Sequence, residues 1–269
     1  MSTTTDTRTT GGPALRDSWT MLHRSLVHMA RYPSLTLMLV GMPVLFLLLF
    51  VYVFGGTMGA GLPGGDGRAD YLAYIAPAIV IMTVASVSIS TAISVASDLE
   101  KGIVDRFRTM PIARSAVLTG HVLGAMVQMV VAVLLVLMVA VLLGYRPDGT
   151  LGGWLGVAGL LALLGLAMTW LAVALGIVGG NVEAASNLPM PFVLLPFLSS
   201  GFVPTDSMPA GLRWFADHQP FTPMIDTLRA WTDGSSAGGD AWVATGWCVL
   251  ITLLSYAWAR RLFTRVRAS

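Results

Sequence analysis

Residues 71–97 read YLAYIAPAIVIMTVASVSISTAISVAS, twenty-seven residues without one charged side chain. A helix needs about 20 apolar residues to cross the roughly 30 Å of hydrocarbon in a bilayer. Backbone in lipid must satisfy its own hydrogen bonds, and this stretch lacks the alternation of a membrane-barrel strand. The sequence therefore predicts a membrane-spanning helix here. Five further runs of the same kind lie at 34–54, 117–144, 153–180, 186–203 and 241–259.

The composition of the whole chain indicates the same fold class. Of the 269 residues, 55% are hydrophobic and 11% are charged, whereas about 25% are charged in an ordinary soluble domain. So few charges cannot cover the surface of a soluble globule. We therefore expect an all-α integral membrane protein with six transmembrane helices. The lone cysteine, Cys248, excludes a disulfide framework within one chain.

The distribution of basic residues predicts the topology. If both termini are cytoplasmic, the inside segments hold twelve of the sixteen Lys and Arg residues. The outside loops then hold Arg68, Arg146, Arg213 and Arg229. Cytoplasmic loops of membrane proteins carry such an excess, so the bias favours this orientation and an even number of crossings.

The composition along the chain changes at three points. Residues 1–13 are rich in Thr and Gly, and we expect them to be disordered. Residues 14–32 are predicted to form an amphipathic interfacial helix. The six-span domain then occupies 33–262, and 263–269 form a basic cytoplasmic tail.

The predicted interfacial helix has apolar residues at helical spacing, among them Trp19, Leu22 and Leu26, and basic residues on its other side. A basic amphipathic helix just before a span is expected to lie in the cytoplasmic headgroup layer. A soluble helix that packs on another surface is the alternative.

The second apolar run carries a polar stripe. Its hydroxyl residues are spaced by three or four positions and therefore share one helix face. Small hydroxyl residues most often mark close helix packing, and a lining for the substrate path is the alternative. Gln128 and His121 in the third run are possible polar neighbours, and His121 is interpreted as a hydrogen-bonded packing residue. The stripe consists of Thr83, Ser86, Ser90, Ser94 and Ser97.

The fifth apolar run contains too many prolines for a straight helix. We expect a kinked or broken span whose free carbonyls are satisfied by neighbouring elements. The prolines are Pro189, Pro191, Pro196 and Pro204.

Residues 205–233, after this run, are predicted to form two short re-entrant helices at the outer leaflet. Met208, Leu212 and Phe215 outline the first. Thr222 and Pro223 supply a cap and first-turn signal for the second. The second helix should carry an apolar stripe opposite Asp226 and Arg229. Both helices are too short to cross and should dip into or rest on the outer leaflet. The stripe consists of Phe221, Ile225, Leu228 and Trp231.

Residues 98–110 concentrate both signs of charge between two apolar runs and are predicted to form a cytoplasmic amphipathic helix. Its charges could simply support a solvated helix through i,i+3 and i,i+4 pairs. Its apolar arc nevertheless needs a cover, and mixed charges around an apolar anchor suit a groove in a partner protein. Phe107 is the expected anchor. The arc consists of Leu99, Ile103, Phe107 and Met110, and Glu100, Asp105 and Arg106 are weaker docking candidates.

The six apolar runs hold no Asp, Glu, Lys or Arg. Proton-coupled carriers usually keep ionisable groups within the membrane, and selective channels usually have charged rings or a filter, so both classes are disfavoured. A P-loop needs Gly-Lys-Ser/Thr, but the single lysine, Lys101, follows Glu100 and precedes Gly102. No histidine belongs to a metal or nucleophile motif, so we expect neither a metal site nor a catalytic site. Driven transport would need a separate energy-supplying chain.

Two stretches resemble a known family. VASDLEKGIVDRFRTMPIARSAVLTG at 95–120 resembles the cytoplasmic motif of ABC-2-type transporter permeases, especially the bacterial daunorubicin-resistance exporter group. NVEAASNLPMPFVLLPFLSSGFVPTDSMPAGLRWFADHQPFTPMIDTLRAW at 181–231 is similar to their fifth span and outer re-entrant helices.

The resemblance implies a permease subunit in the bacterial cytoplasmic (inner) membrane. It implies a homodimer, or a heterodimer with a related chain, paired with two cytosolic ATPase subunits that hold ATP and Mg. This chain itself would bind no cofactor and would not be an enzyme. The resemblance also implies that 98–110 is the coupling helix and that 14–31 is the connecting helix.

The absence of charge from the apolar runs favours a hydrophobic or amphipathic cargo, such as a drug, a natural product or a lipid. A lipid or polysaccharide exporter subunit, a non-transporting membrane assembly protein and a membrane-embedded enzyme are the alternatives. The sequence does not decide between homodimer and heterodimer, or the roles of His121 and Glu183.

Overall fold

A computed structural model describes residues 33–62, 67–101 and 114–265, with side chains for 39–62, 67–101 and 121–262. The predicted disordered start, the interfacial helix 14–32 with Trp19, Leu22 and Leu26, and most of the predicted coupling helix lie outside the described residues.

The described residues form helices and no strand. A π-helical turn, Phe50–Phe54, joins the first two helices, and 3-10 turns occupy Leu195–Leu198 and Thr205–Ser207. The helices are α1 (Pro33–Leu49), α2 (Gly55–Ala60), α3 (Arg68–Glu100), α4 (Arg114–Leu142), α5 (Leu151–Gly179), α6 (Val182–Asn187), α7 (Met190–Leu194), α8 (Ala210–His218), α9 (Phe221–Thr232) and α10 (Asp240–Arg265).

Five of the six predicted runs form helices that are long and apolar enough to cross a membrane. The all-α membrane fold class is thereby confirmed at the level of five candidate spans. They are Leu39–Ala60, Arg68–Glu100, His121–Leu142, Leu151–Gly179 and Asp240–Leu262.

The run at 186–203 is broken, as its prolines predict. It contains the end of α6, all of α7 and the 3-10 turn Leu195–Leu198. Pro189 precedes α7 and Pro196 lies in the first turn of the 3-10 helix, where the missing N–H of proline interrupts the helical ladder. Ser199 then adopts extended backbone, with φ −112° and ψ −176°, and ends the helical stretch.

Local signals fix both ends of α5 and the turn that follows it into α6. The side chain of Thr150 caps the start of α5 by accepting a hydrogen bond from the Gly153 N–H at 3.1 Å. Gly180 ends α5 in the left-handed conformation, with φ 66°, which glycine adopts without steric cost. Asn181 caps α6 by accepting from the Ala184 N–H at 2.8 Å. The chain therefore reverses within a few residues and brings α6 back beside α5 and α3.

Helix α3 is the centre of the bundle. In its most apolar 18-residue stretch, 78% of the residues are buried, compared with 28% for the span Leu39–Ala60 and 17% for α10. It packs against α4 and α5, and against α1, α6 and α9. The peripheral helices leave large apolar side chains exposed, including Leu45, Leu134 and Leu253. In a membrane protein such faces are covered by lipid or by another subunit.

Helices α3 and α5 approach closely through small residues. A Cβ at Gly176 would lie 2.6 Å from the carbonyl oxygen of Ala92 and 3.0 Å from Cβ of Val95. Ala92 and Ala96 also form a buried cluster with Ala172 and Ala185. Small residues let helix backbones meet in this way.

Candidate functional site

Helices α8 and α9 confirm the two short helices expected after the broken run, with two corrections at their starts. Helix α8 begins at Ala210, so Met208 precedes it. The predicted capping role of Thr222 is wrong: α9 begins at Phe221 after Pro220, without a side-chain cap. The Thr222 hydroxyl instead donates to the Ala216 carbonyl at 2.5 Å and ties α9 to α8.

The apolar stripe of α9 faces protein. Phe221, Ile225 and Leu228 are at most 2% exposed, and α9 packs against α5, α10 and α3. The ring of Trp231 approaches within about 3 Å of where a Cβ of Gly156 on α5 would lie. The expectation that this helix rests its stripe on the lipid leaflet is therefore wrong, because the other helices already cover the stripe. Helix α8 is largely exposed.

The free carbonyls of the broken run are satisfied by side chains from neighbouring elements, as the prolines predict. Gln219 Nε2 donates to the carbonyls of Leu195 at 3.3 Å and Leu198 at 2.8 Å. The hydroxyl of Tyr71 on α3 donates to the Phe202 carbonyl at 3.1 Å. Irregular backbone is tolerated at membrane depth only when its polar groups find such partners.

Ser200 lies at the centre of the largest group of these contacts. Its carbonyl accepts from the Tyr74 hydroxyl at 2.6 Å and from Arg229 Nη2 at 3.1 Å. Its hydroxyl donates to Asp226 Oδ1 at 2.8 Å, and its N–H donates to Thr222 Oγ1 at 3.4 Å. We call Tyr74, Ser200, Asp226 and Arg229 the Ser200 network.

Arg229 joins the three elements of the Ser200 network. Nη1 pairs with Asp226 Oδ1 at 2.7 Å, and Nε and Nη2 donate to the Tyr74 carbonyl at 3.4 and 3.2 Å. The guanidinium also lies 3.9 Å from the centre of the Tyr74 ring, a cation–π contact. Burial raises the pKa of Asp226, and the charge of Arg229 opposes that rise.

The sequence pattern predicts Asp226 and Arg229 on a polar face of α9, but it does not predict their contacts with Ser200 and Tyr74. A signal for their role was present. The broken run needs hydrogen-bond donors, and Arg229 lies in the next predicted helix with several donors on a planar group. The two tyrosines of α3 gave no signal, because tyrosine is common in apolar helices near a membrane surface.

The polar stripe of α3 is partly turned toward α4. Thr83 and Ser86 donate to carbonyls of their own helix, at 2.7 and 2.8 Å. Ser90 Oγ reaches Gln128 Oε1 of α4 at 3.3 Å, and Ser94 Oγ lies 3.4 Å from His121 Nδ1. These contacts match close helix packing, and a role of the stripe in the substrate path stays a prediction.

His121 links α4 to the last turns of α3. Its Nε2 lies 3.1 Å from Asp98 Oδ2, and both side chains are about 85% buried. With the ring proton on Nε2, that nitrogen donates to Asp98 and Nδ1 accepts from Ser94. His121 is thus hydrogen-bonded between helices, as expected.

The first three residues of the predicted coupling helix 98–110 form the last turn of α3, which ends at Glu100. Leu99 packs against an apolar cluster that includes Val122 and Ile177. Glu100 Oε1 accepts from the Val182 N–H at 3.3 Å and so reaches α6, while Glu183 is exposed. The other docking candidates lie outside the described residues: Ile103, Asp105, Arg106, Phe107 and Met110.

Comparison with known proteins bears directly on this arrangement. The family model for the ABC-2 type transporter matches residues 16–231. The daunorubicin resistance ABC transporter permease protein DrrB1 of Streptomyces coeruleorubidus is 32% identical over 232 residues, which cover 84% of this chain and 78% of that protein. The probable doxorubicin resistance ABC transporter permease protein DrrC of Mycobacterium tuberculosis is 24% identical over 201 residues, which cover 72% and 68%.

The family model spans α1 to α9, and so includes the broken run and the Ser200 network. The chain belongs to the ABC-2 type transporter family and is a permease subunit of an ABC exporter.

Proposed function

We propose that this chain moves hydrophobic or amphipathic small molecules outward across a bacterial cytoplasmic membrane, powered by a separate cytosolic ATPase that docks on residues 98–110. The observation that carries the proposal is the path of α3. This single 33-residue helix begins beside the broken run and ends where the charged segment starts. The relatives' names concern resistance to daunorubicin and doxorubicin, which are amphipathic aromatic molecules.

In this proposal the chain crosses the membrane six times, with 186–203 as the broken fifth crossing and both termini in the cytoplasm. The Asp98 end of α3 is then cytoplasmic and the Tyr74 end is outside, together with α8 and α9. The charge distribution supports this orientation. Exposed apolar residues on the broken run, such as Met190, Leu194 and Leu198, fit a segment that faces lipid or another subunit.

The assembly consists of two permease chains and two ATPase subunits, with ATP and Mg held by the ATPases. A homodimer is the simplest form, and a heterodimer with a related permease is the alternative. One six-span chain makes a small wall for a bulky cargo, and the exposed apolar faces of α1, α4 and α10 leave room for a second copy.

Nucleotide drives export by favouring one of two states of the assembly. ATP draws the two ATPase subunits together, and the docked 98–110 segments move with them. Helix α3 continues directly into that segment, so the movement reaches the centre of the bundle. Coupling requires the ATPase to hold the segment differently in the two states, because a ligand shifts an equilibrium only through its differential affinity.

Replacement of Phe107 by Asp tests the docking site. A charge at the apolar anchor should abolish co-purification with the partner ATPase and the stimulation of ATP hydrolysis by substrate. Thr109→Asp is the matched control, because it adds the same charge on the opposite side of the predicted helix. Unchanged binding and stimulation in Phe107→Asp would remove the docking hypothesis.

Expression of the chain with its partner ATPase in a drug-sensitive host tests the cargo class. We expect lower accumulation of daunorubicin, and no such effect when the ATPase is inactivated. Unchanged accumulation of every amphipathic compound tested, with the ATPase bound, would contradict the small-molecule cargo and favour a lipid or polysaccharide exporter. Failure to bind any ATPase would favour an assembly protein.

A further inference from the structure

The turn 199–202 depends on other parts of the chain for its conformation. The 3-10 turn before it ends at Leu198 and Ser199 is extended, so no helical ladder continues through the turn. The carbonyls of Ser200 and Phe202 accept hydrogen bonds from Tyr74, Arg229 and Tyr71. A segment held in this way can move as a unit when those contacts break, without the unwinding of a helix.

The turn fills a narrow gap between α3 and α9. A Cβ at Gly201 would lie 2.6 Å from Cβ of Ala78 on α3 and 2.9 Å from Cδ1 of Ile225 on α9. Ser199, whose hydroxyl oxygen accepts a hydrogen bond from the Gly201 N–H at 3.0 Å, is completely buried. The Ser199 hydroxyl lies 3.1 Å from the same Cβ position, so separation of the turn from α3 should expose it.

Arg229 has contacts with all three elements. It binds the carbonyl of Ser200 in the turn, the carbonyl and ring of Tyr74 on α3, and the carboxylate of Asp226 on its own helix. Loss of this one side chain removes hydrogen bonds on both sides of the gap. Arg213 on α8 is a useful contrast, because its ion pairs with Asp206 and Asp217 are exposed and stay outside the gap.

The chemistry of the Ser200 network suits a contact that opens and closes. The side chains of Arg229 and Asp226 are 18% and 32% exposed, so part of each lies at the surface of the chain. When hydrogen-bonding groups separate at a wet site, water replaces the lost partners and the groups stay satisfied. Two states of similar free energy are what a transport cycle needs.

We propose that Arg229 is a positioning residue for export, which through the Ser200 network holds the 199–202 turn against α3 and keeps the Tyr74 end of the molecule closed until the turn separates. This inference rests on the proposed function for its outward direction. Neither the docking of the ATPase nor the identity of the cargo enters the geometry.

The test uses a single reporter cysteine. Cys248→Ala removes the one native thiol, and Ser199→Cys adds a buried thiol of similar size in the turn. Intact cells that express this parent together with the partner ATPase are treated with a membrane-impermeant maleimide, and the labelling rate is measured. Arg229→Gln, Tyr74→Phe and Arg213→Gln are then added separately to the parent.

We expect slow labelling of the parent and a rate about tenfold higher with Arg229→Gln, the population change expected for the loss of a few polar contacts. Tyr74→Phe loses one hydroxyl and keeps the ring beneath Arg229, so its rate should rise less. Arg213→Gln should match the parent. Addition of daunorubicin to energised cells should accelerate labelling of the parent, because export separates the turn repeatedly.

Arg229→Gln in the otherwise native chain, which keeps Cys248 buried in α10, reports whether this substitution loosens the whole protein. If Cys248 also becomes reactive, Arg229 has only a structural role and the proposal is overturned. Parent-like labelling of the Arg229→Gln protein overturns it as well. If the Arg229→Gln protein does not accumulate in the membrane, parent-like labelling rates for both Tyr74→Phe and Arg229→Lys overturn the proposal. If only the daunorubicin response is missing, the cargo assignment fails and the closure by Arg229 stands.

Discussion

At its Tyr74 end, α3 meets non-helical backbone and side-chain donors, whereas toward its Asp98 end it meets closely packed small residues. Tyr71 and Tyr74 donate to carbonyls of the 199–202 turn. Some twenty residues further along, Ala92 and Ala96 pack with Ala172 and Ala185. The polar links toward this end include those from Asp98 and Ser94 to His121 and the one from Glu100 to the Val182 N–H.

The difference between the two ends concerns what replaces a contact when it breaks. Hydrogen bonds at a partly exposed site can be exchanged for hydrogen bonds to water, so their net contribution is about 1 kcal/mol each. Close packing of backbones has no such substitute, because separation leaves unfilled space. Helices α3 and α5 should therefore move as one body near the Asp98 end, and relative movement should be concentrated at the Tyr74 end.

Gly176→Val should have the largest effect of the substitutions considered below. A Cβ at Gly176 would lie 2.6 Å from the Ala92 carbonyl oxygen, and backbone cannot move aside without separating α3 from α5. We expect a loss of about 3 kcal/mol in the free energy of unfolding, at the upper end for overpacking. The measurement is the midpoint of thermal unfolding in detergent.

Gly159→Val is the matched control on the same helix, because no atom lies within 4 Å of a Cβ at Gly159. It should leave the midpoint nearly unchanged. Equal losses for the two variants would mean that helix propensity, and not the approach to Ala92, decides the result. The rigid-pair interpretation of α3 and α5 would then fail.

Gly201→Ala should have a smaller effect, at the other end of α3. The new Cβ would meet Ala78 Cβ, which cannot rotate away, and Ile225 Cδ1, which can. We expect a loss of about 1 to 2 kcal/mol, together with faster exposure of the turn. Thermal unfolding in detergent measures the first effect, and hydrogen exchange of 199–202 measures the second.

Gly211→Ala on α8 is the control for Gly201→Ala, because a Cβ there meets nothing within 4 Å. Its midpoint should be equal to or slightly above that of the wild type, since alanine is the better helix former. If hydrogen exchange of the turn is unchanged in Gly201→Ala, the gap between α3 and α9 is adaptable and the closure is less tight than its geometry indicates.

The sequence was sufficient for those parts of the molecule that depend on long uninterrupted patterns. Uncharged runs of about twenty or more residues predict the long helices, because lipid imposes one solution on the backbone. The prolines of 186–203 predict the break and the need for outside partners. The sequence predicts Thr222 as the cap of α9, whereas the helix begins at Phe221 and the Thr222 hydroxyl reaches α8.

The Ser200 network could not be predicted from the sequence because its members are far apart along the chain. Tyr74 and Ser200 are separated by 126 positions, and Tyr74 and Arg229 by 155. Only the folded path of α3, the broken run and α9 brings them together. The same reason explains why the stripe of α9 was expected against lipid: an apolar face does not reveal whether lipid or protein covers it.

His121→Ala should affect coupling more than stability. The loss of the contacts to Asp98 and Ser94 is expected to cost about 1 to 2 kcal/mol, since two hydrogen bonds are removed. Because Asp98 immediately precedes the proposed docking segment, the stimulation of ATP hydrolysis by substrate should fall by a larger factor. Paired measurements of thermal unfolding and substrate-stimulated hydrolysis separate the two effects.

His218→Ala is the control for His121→Ala, because it removes a histidine whose Nδ1 contacts the Trp214 carbonyl of its own helix, and it leaves the α3–α4 link intact. Stimulation should remain close to the wild-type level. A large loss of stability in His121→Ala, with unchanged stimulation of ATP hydrolysis by substrate, would contradict the expected role of His121 in coupling. It would mean that the polar link to α4 is mainly structural.

Asp226→Asn should have the smallest effect, and it is a change in pH dependence. Burial raises the pKa of Asp226, with Arg229 acting in the opposite direction. The folded protein therefore keeps this proton at higher pH than the unfolded chain does. The resulting stabilisation is present below the ordinary carboxyl pKa and is lost as the pH rises through the raised value.

The unfolding midpoint of the wild type should thus fall, relative to Asp226→Asn, as the pH is raised from the acid range toward neutrality. Asp206→Asn, an exposed carboxylate paired with Arg213, reports what the loss of a surface acid does by itself. A difference that instead grows in favour of the wild type with rising pH would mean that the charge of Arg229 outweighs burial. The Ser200 network would then be held by a strong ion pair, and the argument that it separates easily in water would lose its physical basis.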